Sequence, residues 1–154
     1  ALGLIAGVFF GSLTAILKEN RKQTIYSSKQ LESNANWSVI EELPISNPEI
    51  WDESIKLIAE GRLISSNQGS IALIPIGKIS NDLVDIFAKK LQNALKKREL
   101  LITRNLLEAQ ASSTQLLLTA SGALTTNEID QLKKKLTLLG TPISGLVFLK
   151  QKIS

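Results

Sequence analysis

Ser70-Ile-Ala-Leu-Ile-Pro-Ile76, running into Gly77-Lys78-Ile79-Ser80, is the stretch that decides the fold. Its apolar residues follow one another without alternation, the pattern of a strand covered on both faces inside a parallel sheet. Gly77-Lys78 turns the chain, and Ser80 is placed to cap a helix. Leu83, Val84, Phe87, Leu91, Ala94 and Leu95 then recur at a period near 3.6, and Lys96-Lys97-Arg98 adds cations where a helix C-terminus favours them.

Downstream, Glu99 to Thr103 reads as a short apolar strand and Arg104 to Thr114 as a polar loop or helical turn. Gln115 to Ala120 is a further strand. Thr125 and Glu128 have capping-box spacing ahead of a helix with its stripe at Ile129, Leu132, Leu136 and Leu139. Gly140 suits the position after that helix, and Ile143 to Leu149 is a final strand. Upstream, a short helix is expected around Ser28 to Ser33, and Trp37 to Leu43 reads as a strand stopped by Pro44. Asn47-Pro48-Glu49 is a helix start signal, with Trp51, Ile55 and Ile58 on one face and Gly61 at the far end. Alternation of this kind predicts an α/β fold, a small, mostly parallel open sheet with helices.

Ahead of this domain lies Ala1 to Leu17, a run without charge whose only polar side chains are Ser12 and Thr14. As a helix it covers roughly 25 Å, close to the minimum for a bilayer core. Lys18, Arg21 and Lys22 follow it, which by the positive-inside rule puts the downstream side in the cytoplasm. A secretory signal peptide carries its charges before the apolar run, so an N-terminal transmembrane helix is the better reading. Gly3, Gly7 and Gly11 share one helix face as a double G-x-x-x-G, residues for packing against another membrane helix. The chain does not start with Met, and a start within an apolar run is expected of a span whose beginning lies upstream. The expected organisation is residues 1–20 as a truncated second membrane span, 21–47 as a cytoplasmic linker with a short strand, and 48–154 as the α/β domain.

Composition excludes much. The 154 residues contain no cysteine and no histidine, which removes disulfides, thiol chemistry and every Ser-His or Cys-His arrangement. A net charge of +4 with few aromatics does not suit nucleic-acid binding but does suit an anionic leaflet. Lys133-Lys134-Lys135 is a solvated helix face, or, with Lys89, Lys90 and Lys96 to Arg98, a basic surface toward lipid.

The candidate phosphate loop is Gly77-Lys78 with Ser80. G-x-x-x-x-G-K-[ST] needs glycines to wrap backbone N–H groups around phosphate, a lysine on the terminal phosphates and a hydroxyl on Mg²⁺. Here the first glycine falls at Ala72, Ile79 replaces the hydroxyl, and Ser80 is one residue late. The strands Glu99 to Thr103 and Gln115 to Ala120 are followed by Arg104 and Ser121, so neither supplies the acidic metal holder. Gly77, Lys78 and Ser80 are the only cofactor-binding candidates, with an ordinary strand-to-helix turn as the favoured reading. No catalytic residue, metal ligand or cofactor is assigned.

In their order these segments resemble the C-terminal part of a Wzz-type polysaccharide co-polymerase, the chain-length regulators, and in particular those fused to a bacterial tyrosine-kinase domain. Ala1 to Leu17 with Lys18-Glu19-Asn20-Arg21 is similar to the second membrane helix and its exit. Ser27 to Glu32 and Trp37 to Pro44 resemble the segments that follow it. Ser70 to Leu95, Glu99 to Thr103, and Gln115 to Leu149 with Gly145-Leu146-Val147 resemble the kinase strands and helices. The departures are the degraded loop, Arg104-Asn105 where the family has an acidic pair, the short 104–114 connection, and the missing tyrosine-rich tail, Tyr26 being the only tyrosine. The resemblance implies an inner-membrane protein that sets the length or export of a surface polysaccharide. Its cytoplasmic domain would be a non-catalytic, pseudokinase-like docking module working in a homo-oligomer beside the polymerase or export machinery. The alternatives are a membrane-tethered nucleotide-binding ATPase of the ParA/MinD-like kind and an unrelated tethered α/β domain.

Overall fold

The computed structural model describes residues 23–35, 37–61, 69–96, 98–140 and 143–151; the expected membrane span, with Gly3, Gly7 and Gly11, lies outside them. The elements are β1 (Thr24–Ile25), α1 (Ser28–Ala35), β2 (Val39–Pro44), a 3₁₀ turn (Pro48–Ile50), α2 (Trp51–Glu60), β3 (Ile71–Pro75) and α3 (Asn81–Leu95). They continue with β4 (Leu100–Ile102), α4 (Leu106–Ala109), β5 (Thr114–Ala120), β6 (Leu124–Thr125), α5 (Thr126–Leu139) and β7 (Gly145–Lys150). Five strands form one sheet in the order β2-β7-β5-β3-β4, every pair parallel. β1 and β6 make a separate antiparallel ribbon. Among the described residues no helix is long and apolar enough to cross a membrane.

The uninterrupted apolar runs are explained by burial on both sides of the sheet. All five residues of β3 and all seven of β5 are buried. Successive side chains of a strand point to opposite faces, so the same runs feed two cores. Ile71, Leu73, Leu116 and Leu118 join Trp51, Phe87 and Leu91 beneath α2 and α3. Ala72, Ile74, Leu117 and Phe148 join Leu31 and Ile129 beneath α1 and α5. The edge strand β2 lies within 21–47, the segment expected to be a linker, and it pairs with β7 over Val39–Pro44.

Several local readings meet the structure directly. Ser80 caps α3 by accepting the Leu83 N–H, and Thr125 caps α5 by accepting the Glu128 N–H. Gly140 ends α5 in the left-handed region at φ +66°, and its N–H donates to the Leu136 and Thr137 carbonyls. Residues Arg104 to Thr114 contain the one-turn helix α4, capped by Asn105.

Other readings need correction. Asn47 makes no side-chain cap, because the chain enters α2 through the 3₁₀ turn and the fully buried Trp51 fixes the entry instead. The Trp51 indole N–H donates to the Pro44 carbonyl at 2.6 Å, tying α2 to β2. The expected stripe of α5 is only partly covered: Ile129 is buried, while Leu132, Leu136 and Leu139 remain half-buried. The single basic surface drawn from Lys89, Lys90 and Lys133 to Lys135 does not form, because α3 and α5 cover opposite faces of the sheet. Lys90 is instead paired with Asp52 of α2 at 2.6 Å.

Candidate functional site

In an open α/β sheet, ligands bind outside the carboxyl ends of the strands where the strand order reverses. Here that point lies between β3 and β5: the chain leaves β3 toward β4 on one side, and leaves β5 toward β7 on the other. The sequence candidates Gly77, Lys78 and Ser80 stand at this place, directly beyond β3.

The turn itself is built from backbone pairing. The Ile76 N–H donates to the Leu118 carbonyl at 2.9 Å, and the Thr119 hydroxyl donates to the Ile76 carbonyl at 3.0 Å. Gly77 then takes φ +76°, a left-handed conformation that favours glycine. A Cβ at Gly77 would run into the Ala123 carbonyl, and that same carbonyl accepts the Lys78 N–H at 2.8 Å. The loop after β5 therefore sits where a phosphate-wrapping loop would need room.

Arg104 closes the other side. It directly follows the strand region of β4, and its guanidinium donates to the Gly77 carbonyl at 2.8 Å and to the Ile79 carbonyl at 3.4 Å. A phosphate loop turns N–H groups inward around an anion. This turn directs two carbonyls at a cation and engages the Lys78 N–H internally. Ala72, at the position of the missing first glycine, is fully buried within β3 and paired with β4 and β5. Ser80 spends its oxygen on the helix cap. The Lys78 side chain is exposed, and Ile79 is buried in the core under α3.

Two clefts flank Arg104. One, of about 340 Å³, is lined by Pro75, Asn81, Asp85, Ile102 and Thr103; the other, of about 230 Å³, is lined by Gly77, Glu128, Gln131 and Lys135. Asp85 is the one carboxylate on the first, and no cluster of three or more His, Cys, Asp or Glu side chains suited to a metal ion occurs among the described residues. In the sequence Arg104 stands out only as the residue in place of an acid. Its position immediately after an apolar strand was the available signal; the carbonyls that it meets come from a turn 25 residues and more away.

Comparison of the chain with family models, with curated proteins and with solved structures finds no significant match.

Proposed function

We propose that this chain is the membrane-proximal, cytoplasmic part of a polysaccharide co-polymerase of the bacterial inner membrane. Its α/β domain is a non-catalytic assembly and docking module rather than a kinase or ATPase. The observation that supports this reading best is the self-filled switch point. Arg104 occupies the Gly77 and Ile79 carbonyls, Ala123 occupies the Lys78 N–H, and neither β4 nor β5 is followed by an acid that could hold Mg²⁺. The partners of such a module are other copies of the chain and the polymerase or export machinery.

Two measurements test the proposal. Mg-ATP should leave the thermal unfolding of the full chain where it was, and Lys78→Ala should unfold at the same temperature as the parent. A clear upward shift with Mg-ATP, abolished by Lys78→Ala, would favour the ParA/MinD-like alternative. In cells, removing residues 48–154 should change the length distribution of a surface polysaccharide resolved on a gel. An unchanged distribution would count against the co-polymerase reading.

A further inference from the structure

The outer face of α5 and its neighbour α4 combines exposed leucines with exposed lysines. Leu138 on α5 is 87% exposed, and Lys134 and Lys135, one turn before it, are exposed as well. Across from it on α4, Leu107 is 67% exposed. Between the two helices runs a groove of about 410 Å³ with Ile76, Leu106 and Leu132 in its walls and Arg104 and Lys135 on its rim. Arg104 and Lys135 also line the 230 Å³ cleft, so the groove leads on to Leu124 of β6. Of the nearby carboxylates, Glu108 accepts the Thr103 hydroxyl at 2.8 Å and Glu128 accepts the Thr125 hydroxyl at 3.2 Å, while Asp130 is exposed one turn before Lys134 and leaves Lys135 as the lysine on the groove itself.

The chain enters the domain at the start of α5, the helix that carries this face toward its other end. Thr24 pairs with Thr125 and Ile25 with Leu124, and the Thr126 N–H donates to the Gln23 carbonyl at 2.9 Å. Only residues 18–22 separate Leu17 from Gln23, a stretch that spans about 20 Å at most. α5, with 14 residues, is about 21 Å long. An anchor in residues 1–17 thus holds α5 within about its own length of the bilayer.

We propose that the α4–α5 face is a membrane-contact surface for the anionic phospholipid of the leaflet to which the chain is tethered. Leu107 and Leu138 enter the interface while Lys134 and Lys135 meet lipid phosphates, the pattern of an apolar edge rimmed by cations. The opposite face argues for this choice. There the exposed Ile50 and Leu57 stand among Glu49, Glu53 and Glu60, with Asp52 paired to Lys90 and Lys56 as the one cation of α2 itself, so that acids outnumber bases and an anionic surface is repelled. The inference rests on reading residues 1–17 as an anchor, and the experiment separates the two.

Because the chain has no cysteine, Leu138→Cys and Leu57→Cys give clean single labelling sites. The full chain is reconstituted into phosphatidylcholine vesicles with or without phosphatidylglycerol, and each fluorescent label is quenched with brominated lipid. Quenching at position 138 that requires phosphatidylglycerol, with none at position 57, is the expected result. Adding Lys134→Gln or Lys135→Gln should lower the docked-to-free ratio about fivefold for each lysine removed. No quenching at position 138, or equal quenching at 57, overturns the proposal. So does shielding of position 138 that follows protein density in both lipids, which would assign the face to a second copy of the chain. Alkaline carbonate extraction of the same vesicles reads the anchor independently. If the chain is released, the tether reading fails, while quenching of the released chain by added phosphatidylglycerol vesicles still decides whether the face binds lipid.

Discussion

The two helices that follow the central strands, α3 and α5, are nearly equal in length, with 15 and 14 residues, and both begin with a hydroxyl cap. They are finished differently. α3 buries Val84, Phe87, Ala88, Leu91 and Leu95, and it packs against α2 through a tilted Trp51–Phe87 ring pair with centroids 6.4 Å apart. α5 buries Ile129 alone and leaves its stripe half-covered beside the short α4. One face of the sheet is closed by a full helix layer. The other is closed near α1 and at Ile129, and the apolar side chains of α5 beyond them stay partly exposed.

The largest expected effect follows from that asymmetry. Phe87→Ala removes a fully buried ring from the closed face and should cost about 3–5 kcal/mol in urea unfolding, whereas Leu132→Ala, in the half-covered stripe, should cost less than half as much. Equal losses would show that the two faces are equally well packed, and the comparison would break. Next comes the turn between them. Gly77→Ala forces a Cβ into the left-handed region and against the Ala123 carbonyl, with an expected loss of about 2 kcal/mol or more in the same assay. If Gly77→Ala unfolds like the parent, the crevice is roomier than these contacts require. The smallest effect is the sharpest. Leu138→Ser touches no core and should change the free energy of unfolding by less than about 0.5 kcal/mol. Loss of phosphatidylglycerol-dependent docking with unaltered stability would separate the role of this leucine from that of the core.

What could be read in advance followed from local rules. The apolar runs of β3 and β5 announce burial on two sides, and Ser80, Thr125 and Gly140 mark helix ends by chemistry that acts within four residues. What could not be read depends on distant partners. The Asn47 signal gave way because the buried Trp51, bonded to Pro44, sets how α2 begins. The β1–β6 ribbon is two residues long, too short to leave a periodic trace. The strand order, and with it the position of the switch point, is no part of any periodicity. Arg104 looks like any surface arginine until β3 delivers the carbonyls of Gly77 and Ile79 to it. The separation of Lys89 and Lys90 from Lys133 to Lys135 likewise required knowing which helix covers which face.

The β1–β6 ribbon has a mechanical consequence. It connects the upstream segment to the body through the ladder at Thr24 and Ile25, the Gln23 carbonyl to Thr126, and the Ile25 carbonyl to the Gly122 N–H. Tension applied upstream of Gln23 would load these bonds first, at the start of α5 and in the loop after β5, whose Ser121 N–H is in turn held by the Leu149 carbonyl of β7. That loop carries Ala123, whose carbonyl holds the Lys78 N–H. A pull at Gln23 would therefore reach the turn that fills the switch point by way of Ala123.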